Sequence, residues 1–403
     1  MDKTRIWFSN RYEQIISSIA FLPGIISLGF LVLAVIVLQF DFSETGQQLK
    51  SDLKWLTLKD SSTARSILGA IASGVISLTV FSFTMVMIVL NQAASQMSNR
   101  VLDKLIGNRF QQIVLGIYIG TLVYTFFLFS TIRDTESRFQ IPSISIFTII
   151  LFTVFDLFLF IYFLHFVTQS VKYNVIIDRI KTATFRGMRD FCTENKETAP
   201  TQDFAGIGMI RAERSGIFEG FDTKEIMAAC EENQCSFVAL HPMGTFILQG
   251  QPILKSSRAV PDEQIKDVLR GVVFSEQELI NHNYEYGMRQ LSEIALKALS
   301  PGINDPGTAI LSFRALMDLL QYRGRYFPKS SLKNEDSPFL VIRQEYTFDS
   351  LFERNIYPIW DYGKEDRMIR YEFKLLLEQL SVTVASPPLF RLLKLVDEKI
   401  NEE

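Results

Sequence analysis

One carboxylate lies in the middle of a long run without other acids, lysines or arginines. Asp156 is close to the midpoint of residues 143–168. If this run crosses a bilayer, an ionised carboxylate at its centre costs at least about 2.5–3.5 kcal/mol. We therefore expect Asp156 to face the interior of a helix bundle, to be protonated, or both. It is either an ion or proton site or a neutral acid that hydrogen-bonds across helices to Ser77, Thr84 or Tyr124.

A second polar pattern runs through residues 66–92, which are otherwise apolar. Small and polar residues recur there with a period near 3.5, and therefore share one helix face: Ser66, Ala70, Ser73, Ser77, Thr84, Asn91 and Ser95. This stripe either packs against other helices of the same chain or lines a polar pathway between subunits. With Asp156, four of its members form the candidate intramembrane site: Ser73, Ser77, Thr84 and Asn91.

A third set of polar residues surrounds the segment Ser-Pro-Gly-Ile-Asn-Asp-Pro at 300–306. Its serine, asparagine and aspartate are residues that cap helices, and its two prolines stiffen the backbone. The segment is either a rigid turn between two helices or a preformed pocket for a polar ligand or partner. The candidate pocket residues are Arg289, Glu293, Ser300, Asn304, Asp305 and Thr308.

The usual signatures of catalysis and metal binding are missing. There is no phosphate-binding loop, no GxGxxG, no GxSxG and no HExxH. The spacing of Cys230, Cys235 and His241 is not that of a zinc finger, and three cysteines do not predict a disulfide framework. The net charge is −3 without a basic stripe, which does not favour nucleic-acid binding. We predict no enzyme activity, no metal and no cofactor.

Four apolar stretches are long enough to cross a bilayer, which needs about 20 residues per helix. They are residues 21–40, 66–92, 111–132 and 143–170. The first stretch follows three cations, but it is longer than the apolar part of a signal peptide, and no small-x-small cleavage site follows it. We expect it to be an anchor.

The orientation follows from the lysines and arginines that flank the four spans. With the N-terminus inside, the inner flanks carry eleven of these cations and the outer loops carry six. The positive-inside rule then places both termini in the cytoplasm of an inner-membrane protein. We also expect the second helix to continue beyond the membrane to about Ile106, because its apolar spacing persists after Gln92.

The chain after the fourth span resembles a soluble protein. We predict three domains: a four-helix transmembrane domain with cytoplasmic helical extensions at 1–192, a small β module at 204–257 and a helical cytoplasmic domain at 258–403. The fourth helix should continue through residues 171–189, and a short helix should cover 223–232 within the β module. The run from Gly244 to Leu254 resembles a barrel-sandwich domain but lacks the lysine of a carrier domain.

Two stretches resemble one known family. Residues 81–133, around Asn91–Gln96, and residues 285–311, with the Ser-Pro-Gly-Ile-Asn-Asp-Pro segment, are similar to the bacterial predicted membrane proteins grouped as domain of unknown function 2254. The resemblance implies a four-span inner-membrane protein with a cytoplasmic C-terminal region and implies no activity. The family pattern has Arg-Thr and Gln-Asp pairs before Tyr286, whereas this chain has Glu278-Leu279 and His282-Asn283.

Two functional hypotheses fit these sequence features. The first is a homo-oligomeric channel or transport-type protein with a cytoplasmic regulatory domain, which binds an ion or a small polar ligand. The alternative is a membrane-anchored sensor or binding protein that uses the 300–308 segment. The lipid bilayer and further copies of the chain are the expected partners, and nucleic acid is not.

Overall fold

The chain forms two compact units, Met1–Lys172 and Tyr173–Glu403. A computed structural model describes residues 20–58, 60–96, 109–132, 141–170, 172–194, 208–275, 283–334 and 337–402. Each unit has its own hydrophobic core.

The first unit is helical, and the four predicted spans are confirmed as helices long and apolar enough to cross a membrane. Its helices are α1 (Phe21–Phe42), α2 (Glu44–Asp52), α3 (Ser61–Gln96), α4 (Arg109–Thr131) and α5 (Ser143–Ser170). The 36 residues of α3 make a helix about 54 Å long, well beyond a hydrocarbon core of about 30 Å. This helix continues past Gln92 as predicted; the further extension to Ile106 lies outside the described residues.

Helix α4 is the centre of this unit and packs against α1, α3 and α5. Its Gly116 and Gly120 form a Gly-x-x-x-Gly pair that faces α1. A Cβ atom built on Gly116 would lie 2.8 Å from the Ile26 side chain and 3.0 Å from the Pro23 Cα atom. The missing side chain therefore lets α1 and α4 approach closely, which is the usual role of this motif in membranes.

We expect Gly116→Ala to lower the free energy of unfolding by roughly 1–3 kcal/mol, because the added methyl group forces two packed helices apart. Thermal melting in detergent micelles measures the change. Gly74→Ala is the matched control, since a Cβ atom on Gly74 meets nothing within 4 Å. Equal melting temperatures for the two variants would contradict the close packing of α1 on α4.

A buried ion pair joins three helices at one end of the first unit. The Lys50 ammonium of α2 lies 2.7 Å from the Asp41 carboxylate of α1, and both side chains are buried. The other Asp41 oxygen accepts hydrogen bonds from the Ser145 amide at 2.7 Å and the Ser145 hydroxyl at 3.0 Å. This amide lies in the first turn of α5, where backbone N–H groups have no partner within the helix and favour a negative charge.

The second unit combines two sheets with a set of helices. One sheet has five strands in the order β2 (Gly208–Arg211), β6 (Pro252–Ser256), β4 (Phe237–Pro242), β10 (Leu340–Gln344) and β9 (Ser331–Lys333). The other has three strands in the order β5 (Phe246–Ile247), β3 (Gly216–Phe221) and β7 (Val272–Ser275). A short ribbon pairs β1 (Cys192–Thr193) with β8 (Phe327–Pro328). Within the sheets, only β4 and β10 pair in parallel among the described strands.

The helices of this unit are α6 (Tyr173–Phe191), α7 (Thr223–Glu232), α8 (Asp262–Arg270), α9 (Tyr284–Ala298), α10 (Pro306–Arg325), α11 (Phe348–Gly363), α12 (Arg367–Thr383) and α13 (Pro387–Asn401). The predicted helix at 223–232 is confirmed. Helix α10 packs against α6, α9, α11 and α12 and so forms the centre of the helical part.

The structure differs from the sequence predictions in three places. The fourth span does not continue as one helix, because Lys172 is not helical and α6 begins at Tyr173. The break lies where an all-apolar pattern changes to an amphipathic one. Helix α6, which was predicted as an extension of the membrane domain, packs on α9 and α10 of the second unit. Strands β9 and β10 come from the region predicted as helical: β10 joins the sheet by long-range pairing with β4, and β9 pairs with β10. The barrel-sandwich resemblance is not confirmed.

Candidate functional site

Asp156 lies near the middle of α5 and is fully buried. Its neighbours along the helix, such as Leu151 and Phe158, are strongly exposed and form the outer face of the bundle. The helix therefore turns its one carboxylate inward and its large apolar side chains outward. This agrees with the expectation that an acid at the bilayer centre faces the interior of the bundle.

Two hydroxyl-bearing residues of α4 lie near this carboxyl, and Ser82 of α3 lies next to one of them. The Thr121 hydroxyl of α4 is the direct neighbour of the carboxyl. Tyr118, one turn earlier on α4, lies near both Asp156 and Ser82 of α3. Asp156, Thr121, Tyr118 and Ser82 thus form a buried polar cluster inside an otherwise apolar bundle. Such groups are costly in an apolar interior unless they pair with one another or with water.

A cavity of about 260 Å³ reaches this group from one side. Ser82 and Tyr118 are in its wall, together with apolar side chains of α3 and α4 and Phe163 of α5. Gln111 and Gln112, at the start of α4, supply further polar groups to its lining. The lining is almost entirely apolar, and neither Asp156 nor Thr121 belongs to it. The cavity therefore approaches Tyr118 and Ser82 without opening onto the carboxyl itself.

Further polar groups continue from Asp156 along the interface of α4 and α5. Tyr124 follows Thr121 by three residues, and its hydroxyl donates to the Ser145 carbonyl at 3.5 Å. Ser145 in turn binds Asp41. Hydroxyl groups therefore recur every three residues on α4, at Tyr118, Thr121 and Tyr124. They extend from the cavity at Tyr118 towards the ion pair of Asp41 and Lys50.

The structure does not bring together the intramembrane residues that the sequence grouped. Ser73, Ser77, Thr84 and Asn91 are exposed on the surface of the single chain, whereas Asp156 is buried. The hydroxyls of Ser77 and Thr84 donate to carbonyls of their own helix, at 2.9 and 2.8 Å.

Sequence reasoning missed the other members of this polar cluster. Tyr118 and Thr121 occupy one face of α4 at a spacing of three, and this spacing was the available signal. Ser82 lies away from the polar stripe on α3, and no pattern marked it.

The 300–308 segment acts as a helix cap. Asp305 is the N-cap of α10 and accepts from the Thr308 amide at 3.0 Å and the Thr308 hydroxyl at 2.6 Å. The Ser300 hydroxyl donates to the Lys297 carbonyl at 2.7 Å. Asn304 has a positive φ of 48° and an exposed side chain. Local capping therefore accounts for Ser300, Asp305 and Thr308, and ligand binding by this segment stays a prediction.

The two other pocket candidates lie on α9, away from this cap. The Arg289 guanidinium is 5.0 Å from the centre of the Tyr286 ring, a cation–π distance. Glu293 is half-buried one turn further along the helix.

The cysteines lie in hydrophobic surroundings. Cys230 and Cys235 belong to the core of the β region, and burial raises their pKa values to about 12 and about 11. Thiols with such values stay protonated and are poor metal ligands. Among the residues that the structure describes, no three His, Cys, Asp or Glu side chains come together as a metal site.

One carboxyl of the second unit has a clearly shifted pKa. Glu345 follows β10, and burial raises its pKa from 4.5 to about 6, although Arg343 and Arg323 nearby favour the ionised form. The folded protein therefore holds this proton more tightly than the unfolded chain does. Stability falls as the pH rises from 4.5 to 6, by about 2 kcal/mol, and the loss persists at higher pH.

Glu345→Gln removes this penalty and is expected to raise the melting temperature at pH 8, while it changes little at pH 4. Thermal melting at the two pH values measures the difference. An equal effect at both values would show that ionisation of Glu345 does not limit stability.

The sequence of this chain is similar to those of bacterial proteins. A family model described as predicted membrane protein (DUF2254) matches residues 16–379. Uncharacterized proteins from Mycobacterium bovis and Mycobacterium tuberculosis are each 24% identical over 260 residues, which cover 61% of this chain and 50% of theirs. The match thus spans about half the length of these relatives. No solved structure matches.

Proposed function

The chain belongs to the predicted membrane protein family DUF2254, and we propose that it is a channel or transport-type protein because its first unit buries a carboxyl beside hydroxyl groups of a neighbouring helix. Asp156 is the site where a proton or a cation binds during passage. The protein is multi-pass in the inner membrane with both termini in the cytoplasm, as the cation asymmetry of its flanks indicates.

Asp156 is the observation that carries this proposal. It is the one acid of α5, it is fully buried near the middle of the helix, and it lies beside the Thr121 hydroxyl and near Tyr118 of α4. An ionisable side chain inside a membrane bundle is costly and typically marks an ion or proton pathway. Its position therefore supports a role in binding a proton or a cation.

Reconstitution tests the proposal directly. The purified full chain is inserted into liposomes that contain a pH-sensitive dye, and a potassium diffusion potential drives proton entry; a second assay follows K⁺ and Na⁺ flux. We expect a flux of protons or of one of these cations above that of protein-free liposomes. Liposomes that remain tight to all three ions would overturn the proposal.

The polar stripe on α3 supports assembly from several copies. Ser66, Ala70, Ser73, Ser77, Thr84 and Asn91 are all exposed in the single chain. Small and hydroxylated residues gain nothing from contact with lipid tails, but they allow another helix to approach closely. A second copy of the chain is therefore the occupant of this face, and the protein is a homo-oligomer with α3 at its interface.

We expect Ser77→Cys to form disulfide-linked dimers when membranes are treated with a membrane-permeant oxidant. The three native cysteines are buried and do not compete. Ile76→Cys is the matched control, because Ile76 is also exposed but is rotated about 100° from Ser77 around the helix. Dimers from both variants, or from neither, would count against a specific interface along the stripe.

A second function, a membrane-anchored sensor or binding protein, is favoured by one observation. Asn304 holds a left-handed backbone conformation with an exposed side chain, in a loop whose other polar residues are engaged in capping. Non-glycine residues at positive φ concentrate at functional sites. A protein that stays tight to ions but binds a polar ligand through Asn304 would support this alternative.

A further inference from the structure

A second cavity lies entirely within the second unit, where β10 ends and α11 begins. Its volume is about 390 Å³, within the range of small-molecule sites. Two arginines border it, Arg343 from β10 and Arg323 from the last turn of α10. The hydroxyl-bearing residues Ser330 and Thr347 line it as well, and three aromatic side chains complete the wall: Phe327, Tyr346 and Phe348.

The Arg343 side chain is largely buried there, and its guanidinium is only partly hydrogen-bonded. Its side chain is only 9% exposed, and a guanidinium carries five N–H donors. Within the described residues, Nη2 donates to the Lys329 carbonyl at 2.7 Å, while Nε makes no hydrogen bond. Glu345 is the nearest carboxylate, at 3.9 Å from Nε, which is beyond hydrogen-bond distance. Glu345 therefore pairs with this buried cation only loosely, and an anion within hydrogen-bond distance of Nε would pair with it better.

Arg323 adds a second buried cation. Only 4% of this residue is exposed. Its two terminal nitrogens donate to the carbonyls of Tyr326 and Tyr346, at 3.2 and 3.1 Å, while Nε has no hydrogen bond among the described residues. These backbone bonds fix the side chain but leave its charge without a bonded counter-ion.

The N-terminus of α11 faces the same cavity. Thr347 is the N-cap of this 16-residue helix, and Thr347, Phe348 and Asp349 all line the cavity. The first amides of a helix have no partners within the helix and carry a partial positive charge. The Asp349 carboxylate in this first turn accepts from the Ser386 hydroxyl at 2.6 Å, which fixes one of its oxygens but leaves its negative charge in place. The helix N-terminus and the two arginines together supply the donors of an oxyanion site, beside the carboxylates of Glu345 and Asp349.

The geometry points to a binding site for a small soluble molecule that carries a phosphate or carboxylate group. The oxyanion lies between Arg343, Arg323 and the N-terminus of α11. The aromatic wall contacts the remainder of the ligand, because the cavity is much larger than an inorganic anion needs. This site is independent of passage through the membrane unit.

Phenyl phosphate, benzoate and inorganic phosphate are suitable probes, since they share the oxyanion and differ in the ring. Calorimetric titration of the full chain in detergent micelles measures their affinities. We expect saturable binding of phenyl phosphate or benzoate, and weaker binding of inorganic phosphate. Arg343→Lys should weaken binding at least about tenfold, because it loses the planar fork of charge-assisted hydrogen bonds.

Two further variants separate a binding effect from a folding effect. Glu345→Gln removes a negative charge from the cavity wall and should tighten binding of the same probes, a gain that misfolding does not produce. Arg325→Ala, at an exposed position in the same turn of α10, should leave affinity unchanged. The proposal is overturned if no probe binds at millimolar concentration, if Arg343→Lys binds as tightly as the wild type, or if Glu345→Gln weakens binding.

Discussion

Replacing Lys50 with methionine is expected to lower the free energy of unfolding of the membrane unit by about 3–5 kcal/mol. The substitution removes the ammonium that lies 2.7 Å from the buried Asp41 carboxylate. The remaining Ser145 hydrogen bonds then hold a buried charge without its counter-ion, or the carboxyl takes up a proton and loses much of its attraction to the α5 N-terminus. Either outcome loosens the contact of α1 and α2 with α5.

Unfolding in detergent micelles, followed by loss of helical circular dichroism, measures the effect. Lys172→Met is the matched control, because Lys172 is exposed and the same substitution there removes no buried partner. Adding Asp41→Asn to Lys50→Met should restore a large part of the stability, because it removes the buried carboxylate that has lost its counter-ion. A single variant as stable as the control would contradict a structural role for the ion pair.

The membrane helices were the most predictable part of the fold. A span must satisfy its backbone within the helix and be apolar over about 20 residues, and both demands are visible in local sequence. The close contact of Gly116 with α1 also follows from a local motif, Gly-x-x-x-Gly, although the motif does not show which helix it packs against. The Asp41–Lys50 pair was not predicted, because it depends on how α2 folds back onto the bundle.

The second unit was predictable only where contacts are local. Helix α7 lies at the predicted residues, and its Asp222 cap is a strong local signal. By contrast, β10 is five residues long and pairs with β4 about 100 positions earlier. Its Leu-Val-Ile run fits a strand or a buried helix equally well, and only long-range pairing decides between them.

The candidate sites show the same division. The sequence marked Asp156, because a carboxylate in an apolar run is conspicuous. It did not mark Tyr118, which lies near Asp156, or Ser82, which lies next to Tyr118, because both placements depend on how the helices are rotated. For the 300–308 segment the residue types indicated capping, and Asp305 does cap α10. Arg343 and Arg323 were not marked at all, because arginine is common and its burial is a tertiary property.

Asp156→Asn is expected to abolish ion flux while the protein still folds. Asparagine has almost the same shape as aspartate but cannot release a proton or carry a negative charge, so the site loses its function without a large change in packing. In liposomes, flux should fall to the level of protein-free membranes, and the melting temperature should change little. Asp52→Asn, which alters an exposed acid of the same unit, should retain full flux.

Infrared difference spectroscopy of the Asp156 carboxyl in reconstituted membranes tests most directly whether Asp156 is an exchanging site. Spectra of the wild type and of Asp156→Asn are subtracted at a series of pH values at which both remain folded. We expect a carboxylic-acid C=O band, present only in the wild type, that disappears as the pH rises or as a transported cation is added. A band that persists unchanged throughout would identify Asp156 as a permanently neutral structural acid and would contradict the proposed function.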